Sequence, residues 1–162
     1  GIATAVPAIR DDGMSFEDVV RVNLVGSYRM SVAAARVMPL GGAIVNVASV
    51  VGFVAASLPQ AAYASSKAAV MGLTRDLSAQ WASRRGIRVN AIAPGFFTGG
   101  MADELPERYL ASVAERIPLG RLGELTEIAA VIVFLASSAS SYMTGTVVTV
   151  DGGLTTSFAV DR

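Results

Sequence analysis

The sequence predicts an α/β fold built on a doubly wound parallel sheet. Three observations carry that prediction. Ala43-Ile44-Val45-Asn46-Val47, Ile87 to Ala93 and Gly145 to Val150 are short, near-continuous apolar runs, as expected of parallel strands buried on both faces. Longer stretches with apolar residues at helical spacing separate them. The resulting order of strand, helix, strand, helix, strand is that of a βαβαβ half.

Each element has its own local reason. Ser15-Phe16-Glu17-Asp18 has the form of a capping box, so a helix is expected from Ser15 to about Met38, where Pro39 stops it. Gly41-Gly42 turn into the strand Ala43 to Val47. Pro59 precedes a second helix, apolar at Val70, Leu73, Leu77 and Trp81, and Gly86 ends it. Pro94-Gly95 break the strand Ile87 to Ala93. A loop with Gly99-Gly100 leads to a short helix near Pro106 to Arg116, then to a strongly apolar helix, Leu125 to Ala136. The last strand ends at Asp151-Gly152-Gly153, glycines that permit positive φ or close chain approach. There is no repeat, low-complexity segment or linker.

Composition narrows the function. A chain of 162 residues suits one domain. It is 52% hydrophobic and only 16% charged, which fits a sheet covered on both faces or apolar surface meant for a partner. Net charge is zero and no charged block occurs, so nucleic-acid binding has no electrostatic footprint. Without cysteine there is no disulfide framework, thiolate catalysis or zinc-thiolate site. Without histidine, Ser-His-Asp chemistry and histidine metal sites are excluded. No apolar stretch reaches membrane-spanning length and no signal peptide opens the chain, which makes the cytoplasm the default expectation.

The chemistry centres on Tyr63-Ala64-Ser65-Ser66-Lys67. Tyr63 and Lys67 lie one turn apart on one helix face. Ser49 ends the first strand. A phenol, an ammonium and a hydroxyl sharing one crevice can move a proton to or from a carbinol oxygen. The phenol must be acidified for that, since a free one titrates near pH 10, and Lys67 is placed to supply the charge. The Ser49 hydroxyl can donate to a carbonyl and accept from an alcohol. Asn23 is a poor mid-helix residue and marks a kink or a buried side-chain bond. Asn46 and Asn90, in apolar strands, are expected to tie strand ends or loops together. The stretch from Phe96 to Arg116 leaves a strand's carboxyl end and is positioned to cover a substrate. Phe96, Phe97, Met101 and Leu105 there suggest an apolar pocket.

The series Asn23-Leu24-Val25-Gly26, Ile44 to Ser49, Tyr63 to Lys67, Arg88 to Gly95, Pro118-Leu119-Gly120-Arg121, Thr144-Gly145 and Val150 to Gly153 resembles the short-chain dehydrogenase/reductase family along nearly the whole chain. The resemblance implies a Rossmann-like sheet and the cofactor NAD or NADP. It also implies a reaction interconverting a secondary alcohol and a ketone by hydride transfer. By resemblance Tyr63 is the general acid/base. Lys67 also bonds the nicotinamide ribose, Ser49 orients the substrate, and Asn23 is the fourth catalytic member, holding a water that links Lys67 to solvent. Tyr63, Lys67, Gly1, Pro94, Gly95, Phe97 and Thr98 are the implied cofactor contacts. Gly99 stands where the family has a threonine, so either Thr98 or a backbone group makes that contact. No metal is implied. The family's G-x-x-x-G-x-G phosphate loop does not occur, and Gly1-Ile2-Ala3 is similar to the tail of its Asn-Ala-Gly signature. Residues 1–162 are therefore expected to be the C-terminal portion of a single domain, about three strands with flanking helices. Alone, that portion should expose the edge of the strand Ala43 to Val47, and its activity in isolation is doubtful on the same ground. Two alternatives stay open: a non-catalytic remnant serving as an interaction or structural subunit, and a sugar epimerase or dehydratase sharing Tyr-x-x-x-Lys. The Pro118 to Arg121 and Asp151 to Gly153 segments argue against the second. Expected partners are a small alcohol or ketone and further copies of the chain, with neither nucleic acid nor membrane. Homo-oligomer contacts are expected through the helices Ser15–Met38 and Pro59–Arg84, or through the last helix and strand.

Overall fold

Apolar strands and their crossover helices assemble as the order of elements requires. The computed structural model describes residues 1–100 and 105–156, so Met101 lies outside the described residues. Strands β1 (Gly42–Val47), β2 (Ile87–Pro94) and β3 (Val147–Val150) form a parallel sheet in the order β1-β2-β3. Gly42 lies opposite Ile87 and Val47 opposite Ile92, while Ala91 lies opposite Val147 and Pro94 opposite Val150. β2 is central, and Val89, Ala91 and Ala93 on it are fully buried.

Helix α3 (Ala61–Arg85) is the crossover between β1 and β2. Its residues Val70, Met71 and Leu77 pack on Ile87, Val89, Ala91 and Ala93, the alternate residues on one face of β2. Gly86, at φ 66°, ends α3 in the left-handed conformation as its position predicts. Helix α4 (Glu107–Arg116) and helix α5 (Leu125–Ala136) follow β2, and α5 packs against β1 and β2. Arg88 on β2 donates to the carbonyls of Leu135, Ser137 and Met143, which fastens the turn after α5 to the sheet.

The first helix departs from expectation in two ways. No capping box forms at Ser15. Helix α1 (Met14–Val20) starts one residue earlier, and the Asp11 and Asp12 carboxylates accept from the Gly13 and Met14 amides instead. Nor is the helix continuous to Met38. A π turn at Arg21–Val25 separates α1 from α2 (Gly26–Val37). Asn23 sits in that turn, and such single π turns are frequent at functional sites. A side-chain-to-backbone capping bond does form at α5, where the Glu127 carboxylate accepts from the Glu124 amide at 2.8 Å. Arg121 bonds the same carboxylate and, with that amide, holds it at a pKa of about 2.

The strand asparagines do what buried amides must. Asn46 donates to Thr74 of α3 at 3.0 Å and accepts from Ser31 of α2, so one side chain joins the sheet to two helices. Asn90 donates to the Met143 carbonyl and accepts from the Thr146 amide, fixing the approach to β3. Asn46→Ala removes the link while Thr74 and Ser31 stay buried. The expected cost is about 1–3 kcal/mol of folding stability, read by urea denaturation; an unchanged midpoint would refute the link.

β1 pairs on one side only, among the described residues. The Ala48 amide bonds the Ile92 carbonyl at 2.8 Å. Strand alternation then turns the backbone groups of Ala43, Val45 and Val47 outward. A groove of about 620 Å³ runs there between β1 and the Asn23–Met38 helices. The amides of Val45 and Val47 should therefore exchange hydrogen far faster than those of Ala91 and Ala93, as measured by NMR. Equal protection would mean that another strand covers the edge.

Candidate active site

The carboxyl ends of β1 and β2, the start of α3 and the first residues of the chain converge on a cleft of about 640 Å³. Ser49, Tyr63, Pro94, Gly95 and Phe97 all line it. Gly1, Asn23 and Lys67 line the neighbouring groove along β1. Both spaces are lined from α3, the cleft by Tyr63 and the groove by Lys67 one turn further on.

Ser49 directly follows β1 and caps a short helical turn, Val50–Gly52, with its hydroxyl accepting from the Val51 amide. That turn packs so closely on α3 that a Cβ on Gly52 would lie 2.9 Å from the Ala68 nitrogen. The Ser49-x-x-Gly52 spacing thus has a steric reason: glycine lets the turn bring Ser49 against the first turn of α3. Burial pushes the Tyr63 phenol pKa above 10.0, and the Ser49 hydroxyl beside it opposes that rise.

Lys67 is buried, and its Nζ donates to the Val47 carbonyl at 2.8 Å. This is one of the outward-facing carbonyls of the β1 edge. Nζ lies 5.6 Å from the centre of the Tyr63 ring. Burial lowers the Lys67 pKa from 10.5. The chain by itself therefore holds the phenol protonated, contrary to the acidification that the Tyr63–Lys67 spacing suggests. Desolvation of the phenol by burial is the cause.

Asn23 reaches the same turn of α3 from the other side. Its amide pairs with Ile2 in both directions, at 2.9 and 2.8 Å, and also donates to Ser66. Ser66 in turn donates to the Tyr63 carbonyl at 2.8 Å. Sequence reasoning passed over Ser66, because nothing in a serine's spacing shows that it will bridge two distant elements. A Cβ on Gly1 would lie 2.7 Å from the Asn23 oxygen and 3.5 Å from the Lys67 Nζ, so the chain's first residue is seated beside the ammonium.

Past β2, the Gly95 amide bonds the Val150 carbonyl, and a Cβ there would lie 2.8 Å from that of Asp151. Phe97 is buried on the cleft wall. Thr98 is exposed, turned to the Gly123 carbonyl, and does not line the cleft. Phe96 and Leu105 line the cleft, and Tyr109 of α4 stacks edge-on against Phe96 and accepts from Ser57. Phe96, Phe97, Gly99, Gly100 and Leu105 of the segment after β2 thus line one wall of the cleft. Ile2 and Ala3 line it, as do Gln60, Thr4 and Ala5, which belong to no motif in the sequence.

These residues suit one end of a nicotinamide dinucleotide. The donors are a phenol and an ammonium, and the Pro94-Gly95 backbone is open to the cleft. No glycine-rich turn for the phosphates occurs in the sequence. Among the described residues no cluster of acidic side chains could hold a metal ion, and no helix is long and apolar enough to cross a membrane.

A parallel sheet with a hydroxyl, a phenol and an ammonium at its carboxyl end has the groups that a proton transfer needs, and comparison places the chain further. The family model described as enoyl-(acyl carrier protein) reductase matches residues 1–155, and the chain belongs to the short-chain dehydrogenase/reductase family. It is 43% identical over 156 residues to a 3-oxoacyl-[acyl-carrier-protein] reductase, FabG, of Thermotoga maritima, covering 95% of this chain and 63% of that protein. It is 44% identical over 161 residues to a galactitol 2-dehydrogenase (L-tagatose-forming) of Cereibacter sphaeroides, covering 96% and 63%. Among solved structures, a gluconate 5-dehydrogenase from Burkholderia cenocepacia in complex with NADP and tartrate superposes with a TM-score of 0.89 at 34% identity, over 98% of this chain and 63% of that one. The chain therefore spans less than two thirds of the length of these relatives.

Proposed function

We propose that the chain is the proton-transfer and substrate-binding part of an NAD(P)-dependent oxidoreductase that interconverts a secondary alcohol and a ketone. The observation that carries this is the convergence of Ser49 and Tyr63 in one cleft, with Lys67 one turn below. NAD or NADP supplies or accepts the hydride when bound. In reduction, the Tyr63 phenol gives its proton to the carbonyl oxygen; in oxidation it takes the proton of the alcohol. Ser49 holds that oxygen by donating to a carbonyl or accepting from an alcohol. Lys67 would stabilise the phenolate left behind, bond the ribose, and be fixed meanwhile by the Val47 carbonyl. Asn23 steadies the arrangement through Ile2 and Ser66. Gly1, Pro94, Gly95 and Phe97 would meet the nicotinamide end, with Thr98 as a flanking backbone contact. A cytoplasmic homo-oligomer fits the surface, where Leu125, Val133 and Phe134 of α5 are exposed.

The test is isotopic. The chain is joined to the N-terminal segment of its Thermotoga maritima relative and given 2-octanone with NADPH or NADH deuterated at C4. Deuterium should appear on the carbinol carbon. Its absence with both cofactors would favour a non-catalytic subunit.

A further inference from the structure

The lining of the cleft says what kind of molecule it accepts. Among the described residues that line it, none is charged. Beyond Ser49 and Tyr63, which the reacting oxygen occupies, only Thr4 and Gln60 offer polar side chains. Leu58, Phe96, Leu105, Leu125 and Ile128 make much of the remaining wall. The nearest ammonium, Lys67, faces the other groove and is held by Val47. Arg121 is paired with Glu127. A carboxylate or phosphate on the substrate would have to shed water without gaining a counter-charge, and burying an unpaired ion is costly.

Gln60 stands out within this wall. It immediately precedes α3, and its backbone is fixed because its carbonyl accepts from the Ala64 amide at 2.9 Å. Its side-chain amide makes no hydrogen bond to a described residue. An amide offers both donors and an acceptor, so it can read a neutral ester, amide or hydroxyl group.

We propose that this cleft takes an uncharged, mainly apolar ketone or secondary alcohol, with the Gln60 amide as its specificity contact, and discriminates against the same molecule bearing a carboxylate. The proposal rests on the oxidoreductase reading above. It differs from a polyol or sugar-acid site in having too few polar partners for several hydroxyls or an anion.

Equilibrium binding to the protein that joins this chain to a relative's N-terminal segment tests it, by ligand-observed NMR titration with methyl 7-oxooctanoate and with 7-oxooctanoate. The ester should bind more tightly than the acid by about tenfold or more. Gln60→Arg supplies the missing cation and should narrow or reverse the preference by about tenfold. Gln60→Leu should weaken the ester while keeping the acid excluded. Equal or tighter binding of the acid, binding of neither probe, or a preference unmoved by Gln60→Arg and Gln60→Leu would overturn the proposal. Binding and turnover can fail separately. Preference for the ester without hydride transfer in the joined protein would sink the oxidoreductase reading alone. Hydride transfer with preference for the acid would sink only the substrate class.

Discussion

Tyr63→Phe is expected to lower ketone reduction roughly 10²–10⁴-fold, the usual contribution of a positioned general acid. The comparison is made in the protein that joins this chain to a relative's N-terminal segment. Only a hydroxyl is deleted, and the half-buried ring keeps its packing at the start of α3. Dinucleotide binding should be unchanged, so the loss belongs to turnover and not to affinity. The phenol is the titratable group among the described residues lining the cleft, and its raised pKa keeps it protonated at neutral pH. The unassisted chain is thus set to donate a proton to a ketone. Activity within about threefold of the parent, against the loss that general-acid removal brings, would show that the proton comes from elsewhere.

Lys67→Met should have the next largest effect. It removes a buried ammonium while roughly keeping the side chain's length. The phenolate loses its stabilising charge, and turnover should fall about tenfold for each unit by which the phenol's working pKa rises. Cofactor affinity should fall with it, because the same ammonium is the proposed ribose contact. Retention of both would remove Lys67 from the site. The substitution also has a signature in stability. Burial lowers the Lys67 pKa below 10.5, so between the two values the unfolded chain binds more protons than the folded one. That contribution is complete above 10.5, and it is lost as pH falls through the lowered value. Lys67→Met has no such term. Its stability relative to the parent should therefore decline as pH is raised toward 10.5 in urea melts. A difference that is flat with pH would mean that the ammonium is not desolvated.

Local pattern was enough for most elements. The apolar runs at Ala43–Val47 and Ile87–Ala93 read as strands, and they lie within one residue of β1 and β2. Gly86 and Pro94-Gly95 end their elements for reasons of backbone geometry that require no partner. The helix near Asn23 was only half legible. A poor helix former signalled a break, but spacing does not distinguish a kink from a π turn whose amide docks on Ile2. The capping box at Ser15 does not form because the helix already starts at Met14, with Asp11 and Asp12 accepting from the Gly13 and Met14 amides before it.

The sequence by itself determined the class of fold, the strand order along the chain and the chemical trio of Ser49, Tyr63 and Lys67. These follow from residue type and short-range spacing, which are local properties. Tertiary structure decided what lies far apart in sequence and close in space. It joined Asn23 to Tyr63 through Ser66 and brought Gln60 and Thr4 to the cleft. It turned Thr98 away and left the lining without charge. It also packed protein around the Tyr63 phenol, and that burial raises its pKa. Desolvation depends on everything packed around a group, which spacing along one helix does not show.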